Sequence, residues 1–296
     1  MDLKDRFTGC LLGLALGDAM GAPFEGSPQG GKSLARLPSL LRYTDDTEMA
    51  LGVAESLTTR RGLDPGHMAG TFARNFNPAR GYGPGTIAVL NLIQRGLPWD
   101  RANRAVFPEG SFGNGAAMRA APIGLFCWKD LEKLKDVTFG ASAVTHDHPL
   151  AKEGALLITH AVALILQDNP PGEIPDALMG VPEIKEYKDK LNSVRRLLKA
   201  DEDAGEVIHS LGHGIEALES APTAIYAFLR HGSDYLETIE FCLSLGGDTD
   251  TISAMAGALT GAYLGREGLP SELLERLEDR GRIEALAVEL LESSSQ

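Results

Sequence analysis

The chain has 296 residues, enough for one large domain or two small ones; its 43% hydrophobic and 23% charged residues exclude general disorder, a collagen-like repeat and a membrane channel. Leucine occurs 42 times against 10 valines and 13 isoleucines, so large sheets are disfavoured and an all-α fold is expected. The net charge of -13, from 41 acidic and 28 basic residues, repels phosphate backbones and argues against binding a nucleic-acid duplex.

In chain order, apolar spacing predicts a first helix over 3–20, with Gly9, Gly13 and Gly17 four residues apart. Helices are then expected over 46–59, 65–74, 86–95 and 151–167. The stretch 170–183 reads as a loop-like excursion and is followed by a charged segment to Asp203. Further helices are expected over 204–219, 221–231 and 234–245. A helical segment carrying Gly257, Gly261 and Gly265 follows, then a final helix from Pro270 towards Leu291. Glycine within a helix costs about 1 kcal/mol relative to alanine, so two rows of three suggest that these two helices approach each other closely. No composition shift marks a boundary, so residues 1–292 are read as one domain and 293–296 as a frayed tail. No segment reaches the roughly 18 apolar residues that a membrane span requires. Cys10, Cys127 and Cys242 form no CxxC pair and read as buried thiols of a reducing, cytoplasmic compartment.

Two acidic runs carry the chemistry. Thr44-Asp45-Asp46-Thr47-Glu48 and Gly246-Gly247-Asp248-Thr249-Asp250-Thr251 each stand just before a predicted helix. Either run alone is explained by helix capping. Together they form a hard, all-oxygen ligand set suited to Mg²⁺, Mn²⁺ or Ca²⁺ and unsuited to Zn²⁺. If the fold unites them, two cations sharing one carboxylate would relieve the repulsion and could activate a water. Glycine loops at Gly81, Gly83 and Gly85, and again at Gly113 and Gly115, are plain turns or backbone cradles for an anion. His209 and His213, at i and i+4, could share a helix face, although an ordinary exposed or core role fits them better.

The chain resembles the ADP-ribosylglycohydrolase family over nearly its whole length. Six motifs come in that family's order: 13–25 from Gly13 to Glu25, 43–47 from Tyr43 to Thr47, 80–85, 111–119 from Ser111 to Arg119, Thr145-His146, and 246–251. The resemblance implies a single-domain orthogonal bundle of helices with a two-metal cleft. It implies an enzyme that hydrolyses the glycosidic bond at C1″ of an ADP-ribosyl group on a protein side chain or small-molecule acceptor. By matching positions, Thr44, Asp45, Asp46 and Asp250 would hold one divalent cation, Mg²⁺ or Mn²⁺. Asp248, Asp250 and Thr251 would hold the other, and Glu25 would bind it or act on its water. Glu25, Asp45 and Asp250 are thereby the expected catalytic residues. Gly81, Gly83, Gly85, Ser111, Gly113, Asn114, Gly115 and His146 would contact substrate, with Phe112 stacking on adenine. Arg119 reads as structural, and His148 as facing elsewhere. The segment between Glu25 and Thr44, 18 residues long, is shorter than many in the family, which suggests an open cleft.

Two other readings compete. An inactive ADP-ribose-binding or structural relative would be expected to lack a ligand, whereas every matched position here is filled. An isoprenoid synthase also uses aspartate-bound Mg²⁺ on a helical fold. However, Met49 breaks the second half of a DDxxD pattern, and no basic cluster awaits a diphosphate.

Overall fold

A computed structural model describes residues 1–30, 34, 37–200 and 203–294. Its helices are α1 (Leu3–Gly21), α2 (Asp45–Arg60), α3 (Pro65–Asn75), α4 (Pro84–Gln94), α5 (Trp99–Val106), α6 (Ala121–Cys127), α7 (Leu131–Ala143) and α8 (Pro149–Leu166). They continue as α9 (Ile174–Leu178), α10 (Lys185–Ala200), α11 (Ala204–Leu211), α12 (Ala217–His231), α13 (Tyr235–Leu245), α14 (Thr249–Leu264), α15 (Ser271–Leu274) and α16 (Arg280–Ser294). Among the described residues the only β pairing is two isolated bridges, so the fold is all-α.

The centre of the molecule is the pair α1 and α14, buried along almost their full lengths. The two glycine rows face each other in antiparallel order. A Cβ at Gly9 would lie 2.3 Å from the Gly261 carbonyl oxygen, one at Gly13 2.2 Å from Gly257, and one at Gly17 2.2 Å from Ser253. Any side chain there would force the helices apart, so the absence of Cβ is what permits the contact. The Tyr235 hydroxyl donates to the Gly13 carbonyl at 2.6 Å and ties α13 to the same seam. Further along, a Cβ at Gly21 would meet the Asp250 Cα at 2.4 Å, and the Thr249 hydroxyl donates to the Gly21 carbonyl at 3.0 Å. The end of α1 therefore sets the height at which α14 begins.

One main hydrophobic core surrounds this pair; a smaller cluster joins Val194, Leu197, Val207 and Leu211 to Tyr226 and Leu245. The three cysteines are buried and unpaired. Contrary to the sequence expectation, residues 3–24 and 149–166 are each long and apolar enough to cross a membrane. Both are buried inside the bundle, which explains why their outer faces need no polar residues.

Helices α5, α6 and α7 go beyond those expected from the sequence, and several other elements differ from their expected form. The helix expected over 204–219 stops at Leu211, because Gly212 takes φ +88°, and the chain reaches α12 only at Ala217. The final helix is split: Asp279 takes φ +53°, and Leu41 pairs beside Leu277 in a parallel bridge. The charged segment before Asp203 is the amphipathic α10, burying Tyr187, Leu191, Val194 and Leu197, and a short α9 lies within the expected loop. Helix α16 runs to Ser294, past the expected start of the tail; residues 295–296 lie outside the described residues, as do 31–33, 35 and 36 of the short segment after Glu25.

Candidate active site

Both acidic runs sit at helix N-termini that open onto one cleft of about 560 Å³. Thr44 is the N-cap of α2, in extended conformation, with its hydroxyl oxygen accepting from the Asp46 N–H at 3.3 Å. Asp248 is the N-cap of α14. Before it, Gly246 and Gly247 take φ +72° and +68°, values that disfavour any other residue. Gly247 also has no room for a Cβ, which would meet the His213 carbonyl at 2.3 Å.

A carboxylate from outside both runs organises the first. Asp18, fully buried in α1, accepts from the Thr44 N–H at 3.0 Å, the Thr47 N–H at 3.0 Å and the Thr47 hydroxyl at 2.5 Å. It satisfies main-chain donors at the start of α2, a place where helices ordinarily leave N–H groups without partners. Carboxylate oxygens of Asp18, Asp46 and Asp250 lie within 4.8 Å of one another, and so do those of Glu25, Asp248 and Asp250. Asp250 belongs to both groups. Because its other contacts already occupy Asp18, Asp46 and Asp250 supply the free oxygens of the first group. Their Oδ1 atoms are buried and accept no hydrogen bond.

The electrostatics point the same way. Burial, then the charges of Asp248 and Asp18, push the Asp250 carboxyl up to about 9. Burial and then Asp18 raise Asp45 to about 7. Burial also raises Asp18 to about 6, despite its hydrogen bonds from Thr47 and Thr44. Asp46 is pushed well above the usual range by burial and by Asp18 and Asp250. Burial raises Asp248 as well, and Glu25, at the exposed rim, is raised by partial desolvation and then by Asp248. So many carboxylates cannot all ionise together near neutral pH unless positive charge joins them. Unpartnered buried oxygens and an all-oxygen donor set fit hard divalent cations.

Asp46, Asp248, Asp250 and Thr251 line the cleft, with the Thr251 hydroxyl donating to Asp46 at 3.4 Å. Asp45 also lines it but belongs to neither three-carboxylate group, and Thr44 faces an adjoining groove. The other expected substrate-contacting residues also line the cleft. Gly81, Gly83 and Gly85 lead into the N-terminus of α4, whose N–H groups favour an anion. Ser111, Phe112, Gly113, Asn114 and Gly115 line it as well. Asn114 reaches across, donating to Asp248 at 2.5 Å, so this loop and the second acidic run hold each other.

His146 lines the cleft almost fully buried, with Nδ1 2.7 Å from the Thr145 hydroxyl. Burial and then the Arg119 charge lower it to about 3, so its ring is neutral at neutral pH. Arg119 is structural: buried, it donates to the carbonyls of Gly115 and Ala141 and lies over the Phe72 ring. Phe112 is half exposed and packs edge-on against His148, which is not itself among the residues lining the cleft.

His213 is not on the helix of His209, because α11 ends between them. Instead its Nδ1 lies 3.0 Å from the Leu245 carbonyl, and its own carbonyl accepts from the Asp248 N–H at 2.9 Å, bracing the second acidic run. Sequence reasoning also missed Asp18, Phe107, Met118, Ile215 and Glu216. The last two reach the cleft because 213–216 is a loop, joined to 112–114 by bonds from the Asn114 N–H to the Ile215 carbonyl and from the Ala217 N–H to the Phe112 carbonyl. The only prior signal was the Gly-His-Gly at 212–214.

A sequence model described as ADP-ribosylglycohydrolase matches residues 1–296. ADP-ribosylhydrolase ARH3 of Gallus gallus is 36% identical, covering 90% of this chain and 87% of its own length. The Homo sapiens protein of that name is 33% identical, covering 96% and 92%. A solved structure titled ADP-ribosylglycohydrolase-related protein complex superposes with a TM-score of 0.78 at 30% identity, covering 99% of both chains.

Proposed function

This chain belongs to the ADP-ribosylglycohydrolase family, and from that premise we propose that it releases ADP-ribose from an acceptor by hydrolysis at C1″, using two divalent cations, Mg²⁺ or Mn²⁺, held by the paired acidic runs. The observation that carries the two-cation reading is Asp250, common to both carboxylate groups and with a buried oxygen left without a donor. Bound there, such ions would polarise a water and the hydroxyls of the distal ribose.

The chain's own groups do the rest. Asp46 and Asp250 would offer oxygens to the first ion, while Asp248, Asp250 and Thr251 would hold the second. Asp45, held up to about 7 and outside both groups, stands at the cleft wall as a ligand or as an acceptor for a ribose hydroxyl. The N-terminus of α4 binds the diphosphate through main-chain N–H groups and the 111–115 loop flanks it, which lets so acidic a protein take an anionic substrate. Phe112, exposed at the far end, offers an aromatic face to adenine. Neutral His146 positions substrate through hydrogen bonding and brings no charge.

In the reaction, the bond from C1″ to the acceptor heteroatom breaks with its electron pair leaving on the acceptor, through an oxocarbenium-like state. Water adds to C1″ through oxygen, and one of its protons ends on the acceptor. Glu25, at the rim with a raised affinity for protons, is the group placed to carry it.

The test is release of free ADP-ribose from ADP-ribosyl-serine and ADP-ribosyl-arginine peptides with Mg²⁺, with Mn²⁺ and with EDTA. Release that EDTA abolishes is expected, and the preferred peptide identifies the acceptor. Binding of ADP-ribose without release from either would leave a binding protein, and neither binding nor release would end the functional reading.

A further inference from the structure

A second groove, of about 340 Å³, joins the cleft at its metal end, and Glu25 and Gly81 line both. Phe112 and Ser111 lie in the cleft but not in the groove. If ADP-ribose fills the cleft with its distal ribose among the carboxylates, the acceptor departs past Glu25, where this groove begins.

The groove contains two guanidinium groups in opposite situations. Arg80 is engaged: it pairs with Glu278 and Glu48, donates to the Tyr43 carbonyl and lies over the Tyr43 ring. Arg42 is exposed, and among the described residues no ion pair or hydrogen bond uses its side chain. Nonetheless its backbone is fixed on both sides. Leu41 is bridged to Leu277, with its N–H bonded to the Arg276 carbonyl at 2.8 Å. Tyr43 is buried, its N–H bonded to Glu278 at 2.8 Å and its hydroxyl to Asp279 at 2.9 Å. A cation on a pinned backbone with no internal partner, in a protein of net charge -13, is arranged for something from outside. Asn77 lies nearby; its side-chain oxygen is taken by the Ala79 N–H, which leaves its amide nitrogen to donate to a peptide carbonyl.

We propose that this groove receives the acceptor, and that Arg42 selects peptide acceptors with a carboxylate side chain next to the modified residue. The inference rests on the functional reading above. A peptide is favoured over a nucleic-acid strand because Glu25 and Glu278 also line the groove. Against these, one free guanidinium matches a single anionic group and not a run of phosphodiesters.

The test uses the full chain and matched ADP-ribosyl peptides carrying Glu, Gln or Lys beside the modified residue. For the unaltered protein, kcat/KM falls from Glu to Gln to Lys, by about fivefold overall, the scale of one exposed ion pair. Arg42→Glu reverses the order, Arg42→Lys retains it, and ADP-ribose affinity by calorimetry is unchanged in both. An identical Glu-to-Lys ratio in the unaltered protein and in Arg42→Glu overturns the proposal, as does a loss of ADP-ribose affinity in Arg42→Glu. In either case release of ADP-ribose continues and the functional reading stands. If the unaltered protein releases ADP-ribose from none of the peptides, both fall together.

Discussion

The main chain of the acidic run before α2 is held by a side chain, whereas the main chain of the run before α14 is held by other peptide units. Around Thr44 and Thr47 the fixing group is the Asp18 carboxylate, delivered from another helix and accepting from both residues. Around Asp248 the fixing groups are peptide units: the Gly247 N–H bonds the Ser27 carbonyl, the Gly26 N–H bonds the Gly247 carbonyl, and the Asp248 N–H bonds the His213 carbonyl. A carboxylate clamp can be approximated by another acceptor of its shape. A main-chain clamp at φ +68° with no space for Cβ cannot. The two loops should therefore respond differently to mutation, although they meet at the same cleft.

The largest effect is expected where the loops converge. Asp250→Ala should abolish turnover and lower the metal content of the dialysed protein for both ions, whereas Asp248→Ala should spare one; retention of two ions by Asp250→Ala would refute its shared role. Next is the chelated protein. Folded Asp250, Asp45 and Asp18 hold protons up to about 9, 7 and 6, well above the ordinary 3.8 at which the unfolded chain releases them. The folded form thus binds more protons, and its stability should fall as pH rises from about 4 through 9. Urea denaturation in EDTA reads this slope, and saturating Mg²⁺ should flatten it.

The comparison itself is tested by two milder changes. Gly247→Ala should lose about 2 kcal/mol of stability from backbone strain alone, and more from contact with the His213 carbonyl. Asp18→Asn keeps one acceptor oxygen and should lose only about 1 kcal/mol, with weakened cation affinity by calorimetry. Equal losses in the two variants would erase the distinction between the loops.

Much of this arrangement is written locally, and what is not local was missed. The facing of α1 and α14 is legible because glycines four apart in two apolar segments have few other uses. The acidic runs are legible because their residue types repeat. Asp18 is hidden for a physical reason: one aspartate inside an apolar helix carries no pattern, and its partners lie 26 and 29 residues away. The loop at 213–216 is hidden because its neighbours on both sides are helical, and only Gly212 at positive φ and the bonds to 112–114 turn it towards the cleft. The break before α16 depends likewise on a distant strand-like contact at Leu41. Windows of sequence report propensity, and these three features are set by tertiary pairing.

The seam between α1 and α14 has a consequence for how the chain is made. Gly13 meets Gly257 far along the chain, so α1 is synthesised long before its counterpart α14. Until then its glycine face is uncovered and Asp18 stands alone. Folding must therefore close a very long loop, a slow step compared with forming the helices themselves. A chain cut short anywhere before Thr249 can hold many of these helices and still never possess an active site.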